Sequence, residues 1–155
     1  KAGTAIVNAD AIKNALIGNI GGTIGETCAI ALIIGGIYLL IKHVISWRIP
    51  VVYIVVVFIL TSLMRGNGFL GGVYEIFCGG LMLGAIFMAT DYVTSPISAK
   101  GQIIFAIGCG ILTSLIRVYG GYPEGVSYSI LIMNLAVPLI DRVTRPRIFG
   151  EVKAK

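Results

Sequence analysis

The stretch Ile49–Met64 reads IPVVYIVVVFILTSLM, an apolar run without a charged residue that starts just after Trp47-Arg48. Crossing about 30 Å of hydrocarbon takes about 20 helical residues at about 1.5 Å each, so this run approaches a membrane span. Pro50 suits the first turn of a helix, where its missing N–H costs nothing. Trp47 suits the membrane interface, where an amphipathic ring has one face in hydrocarbon and one in water. Working outward, four more runs approach the same length: Thr27–Val44, Gly71–Ala89, Gly101–Ile116 and Gly125–Ile140. Several fall short of a full crossing, which predicts broken or thinly flanked spans. None alternates like a barrel strand. The expected fold is an all-α integral membrane protein of about five transmembrane helices, with a Gly-rich broken or re-entrant segment ahead of the first.

Composition says the same. Of 155 residues, 57% are hydrophobic and 12% charged, the mean hydropathy is +0.95, and 21 are Gly. A soluble domain carries about 25% charged residues and about 7% Gly. The chain is too apolar and too weakly charged for a disordered tail. A net charge of +5, scattered along the sequence, does not track a phosphate backbone, so no nucleic-acid partner is expected. The first residue is Lys1 and no charged n-region with an apolar core opens the chain, which reads as part of a longer polypeptide. Cys28, Cys78 and Cys109 form no CxxC pair and sit in apolar runs, so they read as small core residues.

Charge orients the spans. With five crossings, one side collects Lys42, Arg48, Lys100, Arg142, Arg145, Arg147, Lys153 and Lys155. The other has Arg65 and Arg117 between helices, with Lys1 and Lys13 in the leading segment. The basic side is expected to be cytoplasmic, which puts the N-terminal segment outside and the tail inside. The organisation is then an outer segment 1–17, a membrane domain 18–142 and a basic cytoplasmic tail 143–155. Gly80 with Gly84, and Ala106 with Gly110, are small-xxx-small pairs that let backbones approach closely. Gly35-Gly36 is expected to interrupt the first span. Pro138 frees the carbonyl of Asn134 and predicts a kink in the last.

Three constellations carry candidate chemistry. Gly18–Thr27, GNIGGTIGET, is a Gly-rich polar stretch running into an apolar helix. Its glycines allow irregular backbone and close approach to a ligand. Free N–H groups at the next helix start favour an electron-rich group. No strand precedes it and its spacing is not that of a dinucleotide fingerprint. It reads either as a loop capped by Thr23 with Glu26 in the first helical turn, or as a broken helix lining a site. The second constellation is Phe87–Pro96, in which Asp91 is flanked by Thr90, Thr94 and Ser95 rather than by bases. That suits a hard-cation ligand, and equally a helix cap. The third comprises ionisable groups in or beside spans, namely Glu75, Glu26, Asp141, Arg117 and Glu124. A carboxylate in hydrocarbon is a functional candidate by default, while Arg117 and Glu124 suit a pair across a short outer turn.

Taken in order, GNIGGTIGET at Gly18–Thr27, Trp47-Arg48-Ile49-Pro50, Met88–Pro96, Ile116-Arg117, Tyr122–Gly125, Met133-Asn134 and Pro138–Asp141 resemble one family along nearly the whole chain. It is the D subunit family of the Rnf-type ferredoxin:NAD oxidoreductase, related to the B subunit of the sodium-pumping NADH:quinone reductase. The Thr-Ser-Pro at Thr94–Pro96 looks more like the Rnf branch.

The resemblance implies a redox-driven, ion-translocating membrane subunit of about ten helices in two related halves, in a bacterial or archaeal cytoplasmic (inner) membrane. Its partners would be the other subunits of an Rnf-type complex and membrane lipid. It implies FMN joined to a threonine of a Ser/Thr-Gly/Ala-Ala-Thr element upstream of the Gly-rich segment. This sequence opens Lys1-Ala2-Gly3-Thr4 without such an element, so the attachment site is expected before Lys1 and the chain looks like a C-terminal half. Asn19, Gly21, Gly22, Thr23, Gly25, Glu26 and Thr27 are the expected cofactor-binding residues. Asp91, Thr90, Thr94, Asp141 and Glu75 are the expected ion pathway. No residue is expected to be catalytic or to bind a structural metal. A second, noncovalent flavin such as riboflavin stays open, as does the choice between sodium and protons. The alternative function is half of a channel or transporter without redox activity, for which broken helices are equally natural.

Overall fold

The computed structural model of the chain describes residues 13–14, 16–18, 28–65, 68–77, 79–120 and 125–144. Helices account for most of these, and no strand occurs among the described residues. The elements are α1 (Ala29–Ile41), α2 (Arg48–Arg65), α3 (Gly68–Phe77), α4 (Leu81–Met88), α5 (Ala99–Tyr119) and α6 (Gly125–Thr144). Within α4, Gly84–Met88 winds as a π-helix.

Two of these helices, α5 and α6, are long and apolar enough to cross a membrane, and the pair α3–α4 adds a third if it counts as one span. The run Gly71–Ala89, read above as a single span, is in fact two helices bent by 66°. Gly79 explains the break. Its φ of 69° lies in the left-handed region, which ends a helix and is open to Gly without a Cβ clash. At the first run the helix covers Ala29–Ile41, shorter than Thr27–Val44. Gly35 and Gly36 do not interrupt it. Both remain helical, and they admit Phe87 and Ile86 of α4 against the α1 backbone. Pro138 lies within α6, which stays helical to Thr144.

Helix α2 packs on α5, α5 on α6, and α2 also on α3. Their shared core is Ile49, Tyr53, Val57, Leu81, Ala85, Phe105, Ala106, Cys109, Val126 and Ile130, each at most 4% exposed. The sequence pair Ala106/Gly110 serves this contact. A Cβ on Gly110 would lie 2.5 Å from Val56 Cγ1 and 3.5 Å from the Tyr53 carbonyl. Gly84 plays the same part for α4 on α6, where a Cβ would collide with Val126. The outward faces stay apolar. Val51, Val55, Ile59 and Leu63 form an exposed i, i+4 row on α2, and Leu131, Leu135 and Leu139 do so on α6. Such a surface fits hydrocarbon and would be a liability in water.

The two glycine contacts on α5 differ in how far the neighbour can yield. Gly110→Val should lower stability by about 1–3 kcal/mol, because Val56 is β-branched and its Cβ as well as its Cγ1 lies against the glycine. Gly108→Ala meets only the flexible end of Met133 and should cost less than about 1 kcal/mol. Thermal unfolding of the detergent-purified full-length protein checks the order, and equal midpoints for the two variants would contradict it.

Candidate functional site

The basic end of the bundle is built by two connections. Helix α1 closes in a Schellman motif: the His43 N–H donates to Leu40 O at 3.0 Å and the Val44 N–H to Leu39 O at 3.0 Å. His43 takes the left-handed position, φ 53°, where Gly is usual. The chain then reaches Trp47, which is 60% exposed, and enters α2 with Pro50 in its first turn. On the facing side α4 ends at Met88, and the connection from Ala89 to Ser98 leads into α5. Ser98 caps α5 by accepting from the Gly101 N–H at 2.9 Å.

Between these connections lies a cavity of about 310 Å³ lined by His43, Val44, Ile45, Ser46, Trp47, Ile49, Thr90, Tyr92, Ser95 and Gln102. Ser46 Oγ donates to Gln102 Oε1 at 3.1 Å, which ties the start of α2 to α5. The Tyr92 hydroxyl donates to the Val44 carbonyl and joins the two connections. Thr90 Oγ1 donates back into its own helix, to Ile86 O at 2.6 Å.

The expected ion-pathway residues fall at both ends of the bundle. Asp91 is exposed and accepts a long bond from Thr94 Oγ1 at 3.4 Å. Asp141, in the last turns of α6, accepts the Ile97 N–H at 3.3 Å. One connection therefore carries Asp91 at its start and is tied to Asp141 near its end. The Ser98 hydroxyl adds a second tie to Thr144 Oγ1 at 2.7 Å. Thr90, Thr94, Asp91 and Asp141 thus share one region. Glu75 stands apart from them. It sits in α3 and pairs with Arg117 of α5, with Nη1 3.6 Å from Glu75 Oε2 and 2.7 Å from the Glu75 carbonyl. Arg117 is 4% exposed, so this guanidinium is a buried cap on the last turn of α3, next to the break. The sequence offered Glu124 as its partner, and Glu124 lies outside the described residues.

The expected cofactor residues Asn19, Gly21, Gly22, Thr23, Gly25, Glu26 and Thr27 also lie outside the described residues. Their flanks are described. Gly18, at φ 96°, ends a helical turn by donating its N–H to Asn14 O at 2.9 Å. Cys28 Sγ lies 3.8 Å from Leu16 O, so the residues on either side of the Gly-rich stretch meet.

A third polar cluster escaped the sequence reading. The hydroxyls of Tyr53 (α2), Thr113 (α5) and Ser129 (α6) form a triangle with edges of 2.6, 3.0 and 2.6 Å, all three residues being fully buried. Ser129 Oγ also donates to Val126 O at 2.7 Å. Hydroxyls inside apolar runs are the visible signal, but pairing three helices needs their mutual depth, which no single run reveals. Neutral hydroxyls closed on one another offer hydrogen bonds rather than acid or base, so the triangle positions helices. Groups of three or more His, Cys, Asp or Glu that would hold a metal do not occur among the described residues.

Tyr53→Phe removes one corner and leaves Thr113 and Ser129 bonded to each other. It should cost about 0.5–1.5 kcal/mol of stability, read as a lower unfolding midpoint with the helical signal retained. An unchanged midpoint would mean that the triangle does not hold the three helices.

Comparison with known proteins relates the sequence to membrane subunits of one kind of complex. Over 134 residues the chain is 56% identical to the D subunit of the Na(+)-translocating ferredoxin:NAD(+) oxidoreductase complex of Acetobacterium woodii, covering 86% of this chain and 41% of that protein. It is 55% identical over 141 residues to the D subunit of the proton-translocating ferredoxin:NAD(+) oxidoreductase complex of Clostridium ljungdahlii, covering 89% and 43%. It is 46% identical over 145 residues to the D subunit of the ion-translocating oxidoreductase complex of Stutzerimonas stutzeri, covering 90% and 40%. The chain thus spans about two fifths of the length of these curated relatives. The profile of the NQR2, RnfD, RnfE family matches residues 2–150, nearly the whole sequence, and to that family this chain belongs.

Proposed function

We propose that this chain is part of a membrane subunit of a redox-driven ion pump, one that passes electrons through flavin between ferredoxin and NAD and couples them to sodium or proton translocation. The observation that carries this reading is the identity above 50% to two D subunits whose names specify those carriers, extended along most of the chain. The bundle is compatible with it. A broken helix pair and carboxylates at one end are features that transport proteins place beside ion routes.

The finer architecture belongs to the same proposal. Five crossings follow if α1, α2 and the bent pair α3–α4 each count with α5 and α6, in one half of a two-repeat subunit of about ten helices. The excess of Lys and Arg at the end holding Lys42, Arg48, Lys100 and Arg142 supports a cytoplasmic side for that end and for the tail. The setting is the cytoplasmic membrane, with lipid around the apolar faces and other members of the complex as partners.

FMN, joined to a threonine upstream of Lys1, would supply one- and two-electron transfer. The Gly-rich residues 19–27 are the part of this chain assigned to it, and the contact of Cys28 Sγ with the Leu16 carbonyl brings their flanks together. Noncovalent riboflavin is a second candidate flavin, with no residue assigned. The full-length protein, purified and unfolded, should retain flavin absorbance and a mass increase equal to one phosphoester-linked FMN. A colourless protein that still conducts ions would favour a channel or transporter half instead.

For the ion route, Asp91 and Asp141 are the entrance carboxylates, Thr90 and Thr94 supply nearby oxygens, and Glu75 belongs to the opposite end. Asp91→Asn keeps shape and removes charge. The assembled variant should need several-fold more cation for half-maximal turnover, or pump fewer ions per electron, and Asp141→Asn should act in the same direction. Unchanged cation dependence in both variants would leave these residues as caps of the loop that they tie.

A further inference from the structure

Helix α6 is far less covered than its neighbour. In this bundle 44% of the apolar stretch of α5 is buried, against 17% for α6. Val126, Ser129 and Ile130 of α6 face the core, while Leu131, Leu135 and Leu139 are 64%, 79% and 67% exposed. At the edge of that outer face stands Asn134, half-buried, the tenth of the twenty residues of α6. At about 1.5 Å per residue it lies about 15 Å from either end of the helix, the middle of about 30 Å of hydrocarbon.

Two hydrogen-bond acceptors meet at that depth. Asn134 Oδ1 is buried and has no hydrogen-bond partner. The Asn134 carbonyl lies one turn before Pro138, which has no N–H to give it. An amide left unpaired away from water costs free energy, and in a bilayer no water stands by to relieve it. The side chain can turn its amide inward or outward, since that terminal torsion is broad. Inward the bundle gives its oxygen no donor, and outward lipid tails have none. We infer that the outer face of α6 is covered by a transmembrane helix from the part of the subunit beyond this chain, one that brings a hydrogen-bond donor side chain to the depth of Asn134.

The relatives supply the length for such a helix. The matched stretch is 41% and 43% of the two most similar D subunits named above, so more than half of each lies outside it. A helix of the same polypeptide is tethered and thus held at high local concentration, an advantage that a second copy or a separate subunit lacks. Leu131, Leu135 and Leu139 form an i, i+4 ridge, the kind that seats in the groove of a neighbouring helix. The exposed row of α2, Val51, Val55, Ile59 and Leu63, is equally apolar but has no such amide beside it, and lipid suffices there. The inference goes beyond the flavin and ion roles proposed above and does not depend on them.

Benzoylphenylalanine in place of Leu131 or Leu135 tests the occupant. Irradiated in the membrane, within the full-length subunit of the assembled complex, it should join to a peptide of the same polypeptide outside this chain, identified by mass spectrometry after digestion. Adducts only with lipid, with another polypeptide or with residues of this chain would overturn the inference, as would the lack of any protein adduct at both positions. Asn134→Leu tests the hydrogen bond by the sign of its effect. It should lower the unfolding midpoint of the full-length protein, because the donor on the covering helix is left without its acceptor. If α6 faces lipid, Leu instead relieves an unpaired amide, so a raised or unchanged midpoint counts against the covering helix. Flavin retention and the cation dependence of turnover report on the pump reading separately, and either proposal can fall alone.

Discussion

Three hydroxyls buried among aliphatic side chains hold this bundle in register. A hydroxyl moved into an apolar environment without a partner costs several kcal/mol by transfer scales, so Tyr53, Thr113 and Ser129 are each compelled to find one. They find one another, across α2, α5 and α6. Apolar contact alone is a weak guide to register in a membrane, because lipid tails are as apolar as Leu and sliding one helix past another changes little. A hydrogen-bonded triangle has one depth at which it closes. Gly110 under Val56 then brings α5 close to α2, Gly84 under Val126 brings α4 close to α6, and the Ser46–Gln102 bond repeats the α2–α5 alignment nearer the basic end.

With α2, α5 and α6 fixed, the break between α3 and α4 becomes tolerable. A helix interrupted inside a membrane leaves carbonyls without partners, which persists only where protein supplies them. Arg117 supplies one, reaching from α5 to the Glu75 carbonyl, and its charge is met by the Glu75 carboxylate. Gly79 lets the chain turn, and α4 resumes as a short helix whose π-wound half packs Gly84 on α6 and Ile86 and Phe87 on α1. Glu75 is thus explained by the fold at the break.

How much of this the sequence disclosed follows from what each feature depends on. The apolar runs, the small-residue contacts at Ala106/Gly110 and Gly84, and the grouping of Asp91 with Thr94 are local in sequence and were legible. The break after Phe77 was not, because Gly79-Gly80 within an apolar run reads equally as packing. Gly35-Gly36 shows the converse: a glycine pair that looked like an interruption serves a close approach. Asp141 receives the Ile97 N–H, a contact set by the loop's path between α4 and α5 and invisible in the residues around Asp141. The hydroxyl triangle and the partner of Arg117 join residues 42 to 76 positions apart on different helices, except for Thr113 and Ser129. Depth matching at that range is a property of the packed bundle.

The arrangement of polar groups also constrains any route through the described helices. The cavity is floored by Ile49, which is 1% exposed and belongs to the core with Tyr53, Phe105 and Cys109. Deeper in the bundle stand the hydroxyl triangle and then, one helical turn on from Thr113, Arg117. Oxygens at the triangle stand 2.6–3.0 Å apart, a spacing for hydrogen bonds that leaves no room for an ion between them. The triangle itself therefore passes no ion in this conformation. Passage through the described core would require α2 and α5 to part, which breaks Tyr53 from Thr113. The bond that sets helix register would then also act as the bolt on that route, linking the stability of the bundle to its opening.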